Sequence, residues 1–151
     1  MADVVTPEVR SRMMSGIRST NTRPELIIRR GLHGIGFRYR LHAASLPGKP
    51  DLVFPRYGAV IFVHGCFWHG HDCHLFKWPS SRIDFWKQKI SRNQVVDARN
   101  EAAVAEKGWR YAVVWECALK GRYRRPQTDV IRDCAGWLRS RKPHLEIRGT
   151  A

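Results

Sequence analysis

The sequence predicts a mixed α/β domain, a central β-sheet covered by helices, and three observations predict it. Two short runs, Ala59–Val63 and Trp109–Glu116, carry the β-branched and aromatic residues of buried strands and begin just after a glycine. Longer stretches around them have helical spacing and helix-start chemistry, at Thr22-Arg23-Pro24-Glu25 and again at Pro126. At 151 residues, with no internal repeat or compositional break, the chain fits one core rather than two.

Taken in order, Thr6-Pro7-Glu8 has an N-cap threonine and a first-turn proline, opening a basic segment through Arg10, Arg12 and Arg18. Ser19-Thr20-Asn21 breaks it. Thr22 and Glu25 stand at capping-box spacing before Leu26, Ile27 and Leu32, and Gly34-Ile35-Gly36 ends that helix. Phe37 to His42 alternates as a first strand, and Asp51 to Phe54 forms a second after the Pro47–Pro50 loop. Pro55 to Gly58 is a turn into the third strand, Ala59–Val63. Hairpin pairing about a midpoint near residue 57 or 58 sets Asp51 opposite the Val63–His64 end. Ile83–Ile90 and Asn93–Lys107 read as two helices, Trp109–Glu116 as the fourth strand, and Pro126 starts the last helix. The expected organisation is a basic arm or helix over 1–20, a single domain over 21–142 and a loose tail over 143–151.

Lys and Arg number 27 against 13 Asp and Glu, a net charge of +14 that favours a polyanionic partner, nucleic acid foremost. No apolar run approaches the roughly 18 to 20 residues needed to span a bilayer, and the N-terminus lacks a signal-peptide pattern. Four cysteines, three of them next to a histidine loop or a strand end, fit a reducing cytoplasm and a metal better than disulfides.

The chemistry concentrates in His64-Gly-Cys-Phe-Trp-His-Gly-His-Asp-Cys73, directly after the third strand. Cys66, His71 and Cys73 are soft ligands of the kind tetrahedral zinc takes, and Cys117 at the end of the fourth strand is available as the fourth. The competing reading makes Cys66 and Cys117 small core residues, which leaves His71 and Cys73 unexplained. Asp51 suits a hard divalent cation, with a backbone carbonyl at the end of the third strand, that of Val63, as a second ligand. Histidine titrates near neutrality, so His64 and His69 can move protons in phosphodiester hydrolysis. Phe67 and Trp68 are large rings in a polar loop, suited to wedging between bases. For Trp86, on a helix, core packing is the more frequent explanation. Arg124 and Arg125 belong to a basic turn that suits phosphate.

Pro47-Gly-Lys-Pro-Asp51, Val60-Ile-Phe-Val-His-Gly-Cys-Phe-Trp-His69, His71-x-Cys73 and Val114-Trp-Glu-Cys117-Ala-Leu together resemble the very short patch repair (Vsr) endonucleases, over roughly Arg10 to Gly121. The resemblance implies a restriction-endonuclease-like fold with structural zinc, in which 21–142 is the nuclease domain. It also implies a bacterial, Mg²⁺-dependent enzyme that nicks DNA 5′ to the thymine of a T:G mismatch left by deamination of 5-methylcytosine. On that likeness Asp51 binds magnesium, His64 and His69 serve hydrolysis and Glu25 supports the site beyond any capping role. Cys66, His71, Cys73 and Cys117 hold zinc, while Phe67, Trp68 and Trp86 wedge into the duplex. The expected partners are mismatched double-stranded DNA and mismatch-repair proteins, with no membrane, and the expected enzyme is a cytoplasmic, nucleoid-associated monomer. Two departures stand out: Val63 replaces a common threonine, and Gly70 and Asp72 interrupt a histidine run. Two alternatives remain open, a related nuclease with another target and a zinc-braced DNA-binding module without catalysis.

Overall fold

The computed structural model describes residues 21–150. The basic segment opened by Thr6-Pro7-Glu8 lies outside the described residues. Five strands, β1 (Arg40–Leu41), β2 (Leu52–Phe54), β3 (Ala59–His64), β4 (Arg110–Trp115) and β5 (His144–Ile147), form one sheet in that order. β1–β2 and β2–β3 pair antiparallel, whereas β3–β4 and β4–β5 pair parallel. Three helices complete the described fold: α1 (Arg23–Gly34), α2 (Ile83–Glu106) and α3 (Gln127–Arg139). The parallel pairs require crossovers, which α2 and α3 supply.

The sheet is covered on both faces, and the alternation of its strands sorts the residues. Leu52, Phe54, Ile61, Ala112 and Val114 join Ile28 and Leu32 of α1 and Ile131 and Leu138 of α3 in the larger cluster. Val53, Val60, Phe62 and Val113 point the other way and meet Val104 of α2. Because the side-chain period of a strand is two, His64 follows Val60 and Phe62 onto the α2 side. Burial on both faces explains why β3 reads as an unbroken apolar run rather than an alternating one.

The expected hairpin is present with its midpoint between residues 56 and 57: Phe54 pairs with Ala59 and Leu52 with Ile61. Gly58, at φ 59°, makes the turn after a short 3₁₀ segment, Pro55–Tyr57. Three expectations need correction. The stretch 83–107 is one helix, not two. Ser91-Arg92-Asn93 lacks Gly or Pro, each costs only tenths of a kcal/mol in a helix, and Asn93 Nδ2 donates to the Trp68 carbonyl at 2.8 Å rather than capping. The tail from residue 143 is not loose, because His144–Ile147 adds the parallel edge strand β5 and buries Ile147. The first strand shrinks to Arg40–Leu41, because Phe37 leaves the strand path to enter the larger core.

Candidate active site and metal centre

The hairpin brings Asp51 to the mouth of β3. Its Oδ2 accepts the Val63 N–H at 2.7 Å, within a residue of the expected register. Asp51, Val63, His64 and His69 line one cleft of about 190 Å³, with Lys49, Asp97 and Glu101 on its rim. The His64 and His69 rings stack with centroids 3.9 Å apart and planes within 4°. His69 Nδ1 meets Asp97 Oδ2 at 2.5 Å, a bond that fixes the imidazole's orientation and leaves Nε2 available to another partner. Burial, with His69 and His71 adding to it, holds the His64 ring well below the usual imidazole pKa, so it is neutral at pH 7. Its Nδ1 is buried without a hydrogen-bond partner among the described residues.

Glu25 reaches the same corner from the first turn of α1. Thr22 caps that helix as expected, accepting from Glu25 N at 3.4 Å. The carboxylate, 1 % exposed, accepts from Asn21 N at 3.0 Å and from Arg29 Nη1 at 3.1 Å, and its Oε2 lies 2.8 Å from His42 Nε2. A cap alone would not need such burial. Asp97 and His42 are the site residues that sequence reading missed. Asp97 belongs to a polar stripe with Asn93, Gln94 and Glu101 that α2 turns inward, while Val95 and Val96 stay exposed. The spacing of that stripe was visible, but its inward direction was not.

Burial first, and the nearby Glu25 charge next, push the Asp51 carboxyl up to about 8, against the opposing Val63 N–H bond. The native protein therefore keeps a proton that the unfolded chain loses above about pH 4. Between those values the native state binds more protons, so stability falls as pH rises through the window. Without added divalent cation, melting temperature is expected to fall from pH 5 to 8, and Asp51→Asn is expected to flatten that fall. An equal slope in the variant would place the proton elsewhere.

Below the cleft, Cys66, His71, Cys73 and Cys117 offer four ligand atoms within 4.8 Å of one another, a set that can hold a metal ion. His71 Nδ1 is 3.6 Å from both Cys66 Sγ and Cys117 Sγ. Cys117 N–H donates to Cys66 Sγ, and Gly149 N–H to Cys117 Sγ, each at 3.3 Å. These bonds favour thiolates over the thiols that burial alone would keep protonated. The ring of His71 stacks on Trp115 at 4.0 Å. Gly70, at φ 62°, closes the loop where a Cβ would strike Gln94 and Ile90 of α2.

Phe67, Trp68 and Trp86 form a ring cluster with centroids 5.2–5.7 Å apart, extended by Phe85 and, through Phe76, by Trp78. Trp78 and Phe85 are the exposed ends of this ridge. Arg124 bonds the Gly121 carbonyl at 3.0 Å, and Arg125 pairs with Asp133 at 2.6 Å. Neither arginine lies in the cleft. The larger cavity between α1 and α3, about 1170 Å³, is lined by Leu26, Ile27 and Ile131 with arginines at its edge, and among the described residues no His, Cys, Asp or Glu lines it.

The sequence model for the family described as DNA mismatch endonuclease Vsr matches residues 2–75. The type II nicking enzyme V.XorIIP of Xanthomonas oryzae pv. oryzae is 55% identical over 119 residues, covering 79% of this chain and 88% of that protein. This chain belongs to the Vsr family. The DNA mismatch endonuclease Vsr of Escherichia coli is 43% identical over 138 residues, 91% of this chain and 88% of its own length. The type II nicking enzyme V.NmeAIP of Neisseria meningitidis is 43% identical over 122 residues, 81% of this chain and 87% of its own length. A Vsr-family chain is a DNA endonuclease, which agrees with the basic composition and the acid–histidine cleft. Among the described residues, no helix is long and apolar enough to cross a membrane.

Proposed function

We propose that this Vsr-family chain is a Mg²⁺-dependent, strand-specific endonuclease that nicks duplex DNA 5′ to the thymine of a T:G mismatch. The observation that carries the reading is the convergence of Asp51, His64 and the His69–Asp97 pair on one cleft beside the aromatic ridge. Residues 21–150, β5 included, act as one nuclease domain of restriction-endonuclease type, with 1–20 as a basic arm on phosphate. A genomic substrate puts the enzyme in the bacterial cytoplasm at the nucleoid, as a monomer, with mismatch-repair proteins as its further partners.

Asp51 and the Val63 carbonyl hold the magnesium. In an extended strand a residue's C=O and N–H point to the same side, so the Val63 N–H bonded to Asp51 implies that its carbonyl faces the carboxylate too. Only that carbonyl is needed, so valine serves where a threonine is common. A magnesium ion held by these two oxygens would supply Lewis-acid activation of the phosphodiester and of the attacking water. His69, oriented by Asp97, takes the water's proton at Nε2, and neutral His64 donates a hydrogen bond to the phosphate. Glu25 keeps the acidic corner in place.

Zinc fits the four-ligand cluster. Tetrahedral bonds of 2.3 Å to sulfur and about 2.05 Å to nitrogen put S and N roughly 3.6 Å apart, the separation found at His71 Nδ1. Zinc there pins the loop that carries His69 and the wedge residues Phe67 and Trp68, with Trp86 behind them. Arg124 and Arg125 touch phosphate at the edge of the footprint.

The test is a panel of duplexes, T:G, T:A, uracil:G and the other mismatches, with the cut mapped on each strand with and without Mg²⁺. A Mg²⁺-dependent nick confined to the position 5′ to the mismatched thymine is expected. Preference for another lesion would make the chain a relative with a different target. Phe67→Ala or Trp68→Ala is expected to narrow the affinity gap between T:G and paired duplexes about tenfold or more, with the salt slope of binding unchanged. Equal losses on both duplexes would remove these rings from mismatch recognition.

A further inference from the structure

His42 stands outside every role given above, yet its ring is tied into the acidic corner. Its backbone N–H donates to the Asp51 carbonyl at 3.0 Å, continuing the β1–β2 ladder, so the two residues are fixed side by side. Its φ of 46° is left-handed, a conformation that side chains rarely hold without compensation. Glu25, His42 and Asp51 each offer one ligand atom, and all of these lie within 4.8 Å of one another. We propose that His42 is a third side-chain ligand beside Asp51 and Glu25, making this corner a carboxylate–imidazole site that takes Mn²⁺-class cations more tightly than Mg²⁺.

The geometry is close to that of an octahedral edge. Two ligands each about 2.1 Å from an ion and at right angles to one another are roughly 3.0 Å apart, and His42 Nε2 lies 2.8 Å from Glu25 Oε2. Binding displaces into solvent both the proton between His42 Nε2 and Glu25 Oε2 and the one that Asp51 keeps, freeing one lone pair from each ligand for the cation. Charge favours the exchange. Among the described residues the two buried carboxylates have one cation in hydrogen-bond contact, Arg29 on Glu25, whose Nη1 also bonds Asn21 Oδ1 at 2.7 Å, while Lys49 lines the cleft beside Asp51. An imidazole donor strengthens binding of first-row transition ions, whereas Mg²⁺ is held chiefly by oxygen. The catalytic meaning of this site rests on the endonuclease reading, but the binding itself does not.

The experiment is Mn²⁺ binding to the full chain, read by pulsed electron paramagnetic resonance, with one equivalent of zinc present to fill the cysteine cluster. Nitrogen coupling from a directly bound imidazole is expected, and labelling histidine with ¹⁵N must convert it without any substitution. The coupling is expected to vanish in His42→Gln and to persist in His69→Gln, which separates this corner from the His64–His69–Asp97 cluster. His42→Gln is expected to weaken Mn²⁺ at least tenfold and Mg²⁺ less than about twofold. Persistence of the coupling in His42→Gln, its loss in His69→Gln, or absence of Mn²⁺ binding would overturn the proposal. A protein that nicks T:G DNA but shows no coupled nitrogen loses only the His42 ligand. One with coupled nitrogen and no nicking loses the endonuclease reading and keeps the metal site.

Discussion

Asp51→Asn is expected to lower T:G nicking by about 10³-fold or more, equivalent to roughly 4 kcal/mol of barrier, while duplex affinity is unchanged or tighter. Asparagine keeps the side-chain shape and an oxygen for the Val63 N–H. What disappears is the negative charge that a hard cation needs. Losing a carboxylate opposite a phosphate removes a repulsion, hence the prediction for affinity. Single-turnover cleavage and an equilibrium binding curve on the same duplex check both. Nicking within tenfold of the parent protein would remove Asp51 from the chemistry. Joint loss of binding and cutting, with lost circular dichroism, would make it a folding residue.

Removing the metal from the cysteine cluster is expected to lower the melting temperature by roughly 10 °C or more, and Cys66→Ser to act in the same direction. Cys66 and Cys117 lie on different strand ends, 51 residues apart, and both sulfurs are buried. Without a cation, the burial of these groups opposes the thiolates that the backbone N–H bonds favour. The loop would then rest on hydrogen bonds, such as His71 N to the Cys66 carbonyl at 2.9 Å, the α2 contacts from Asn93, Gln94 and Asp97, and the Arg148–Asp72 pair. Nicking should fall with the fold, since His69 rides on this loop. Unchanged melting after metal loss verified by elemental analysis would show that the cluster needs no ion.

Much of the site was legible because it is local. Asp51 opens a strand, His64 ends the next and Cys66, His69, His71 and Cys73 follow it within a short stretch, and hairpin arithmetic carries the acid to the histidines with an error of about one residue. Cys117 was legible for the same reason, as a strand-end residue of unusual type. Asp97 and His42 were not, because their partners lie 28 and 17 residues away and are chosen by tertiary packing. Helix α2 adds a second obstacle. Its inward face is polar because it meets a polar site, so Val95 and Val96 suggested the wrong side to bury. Strand β5 was missed because a parallel edge strand with only Leu145 and Ile147 facing inward leaves almost no periodic signal.

The last residues also bear on the loop. Arg148 bonds Asp72 at 2.9 Å and its carbonyl at 2.8 Å, and Gly149 donates to Cys117 Sγ. The loop that carries His69 and the cysteine–histidine cluster is thus clasped by the segment that follows β5.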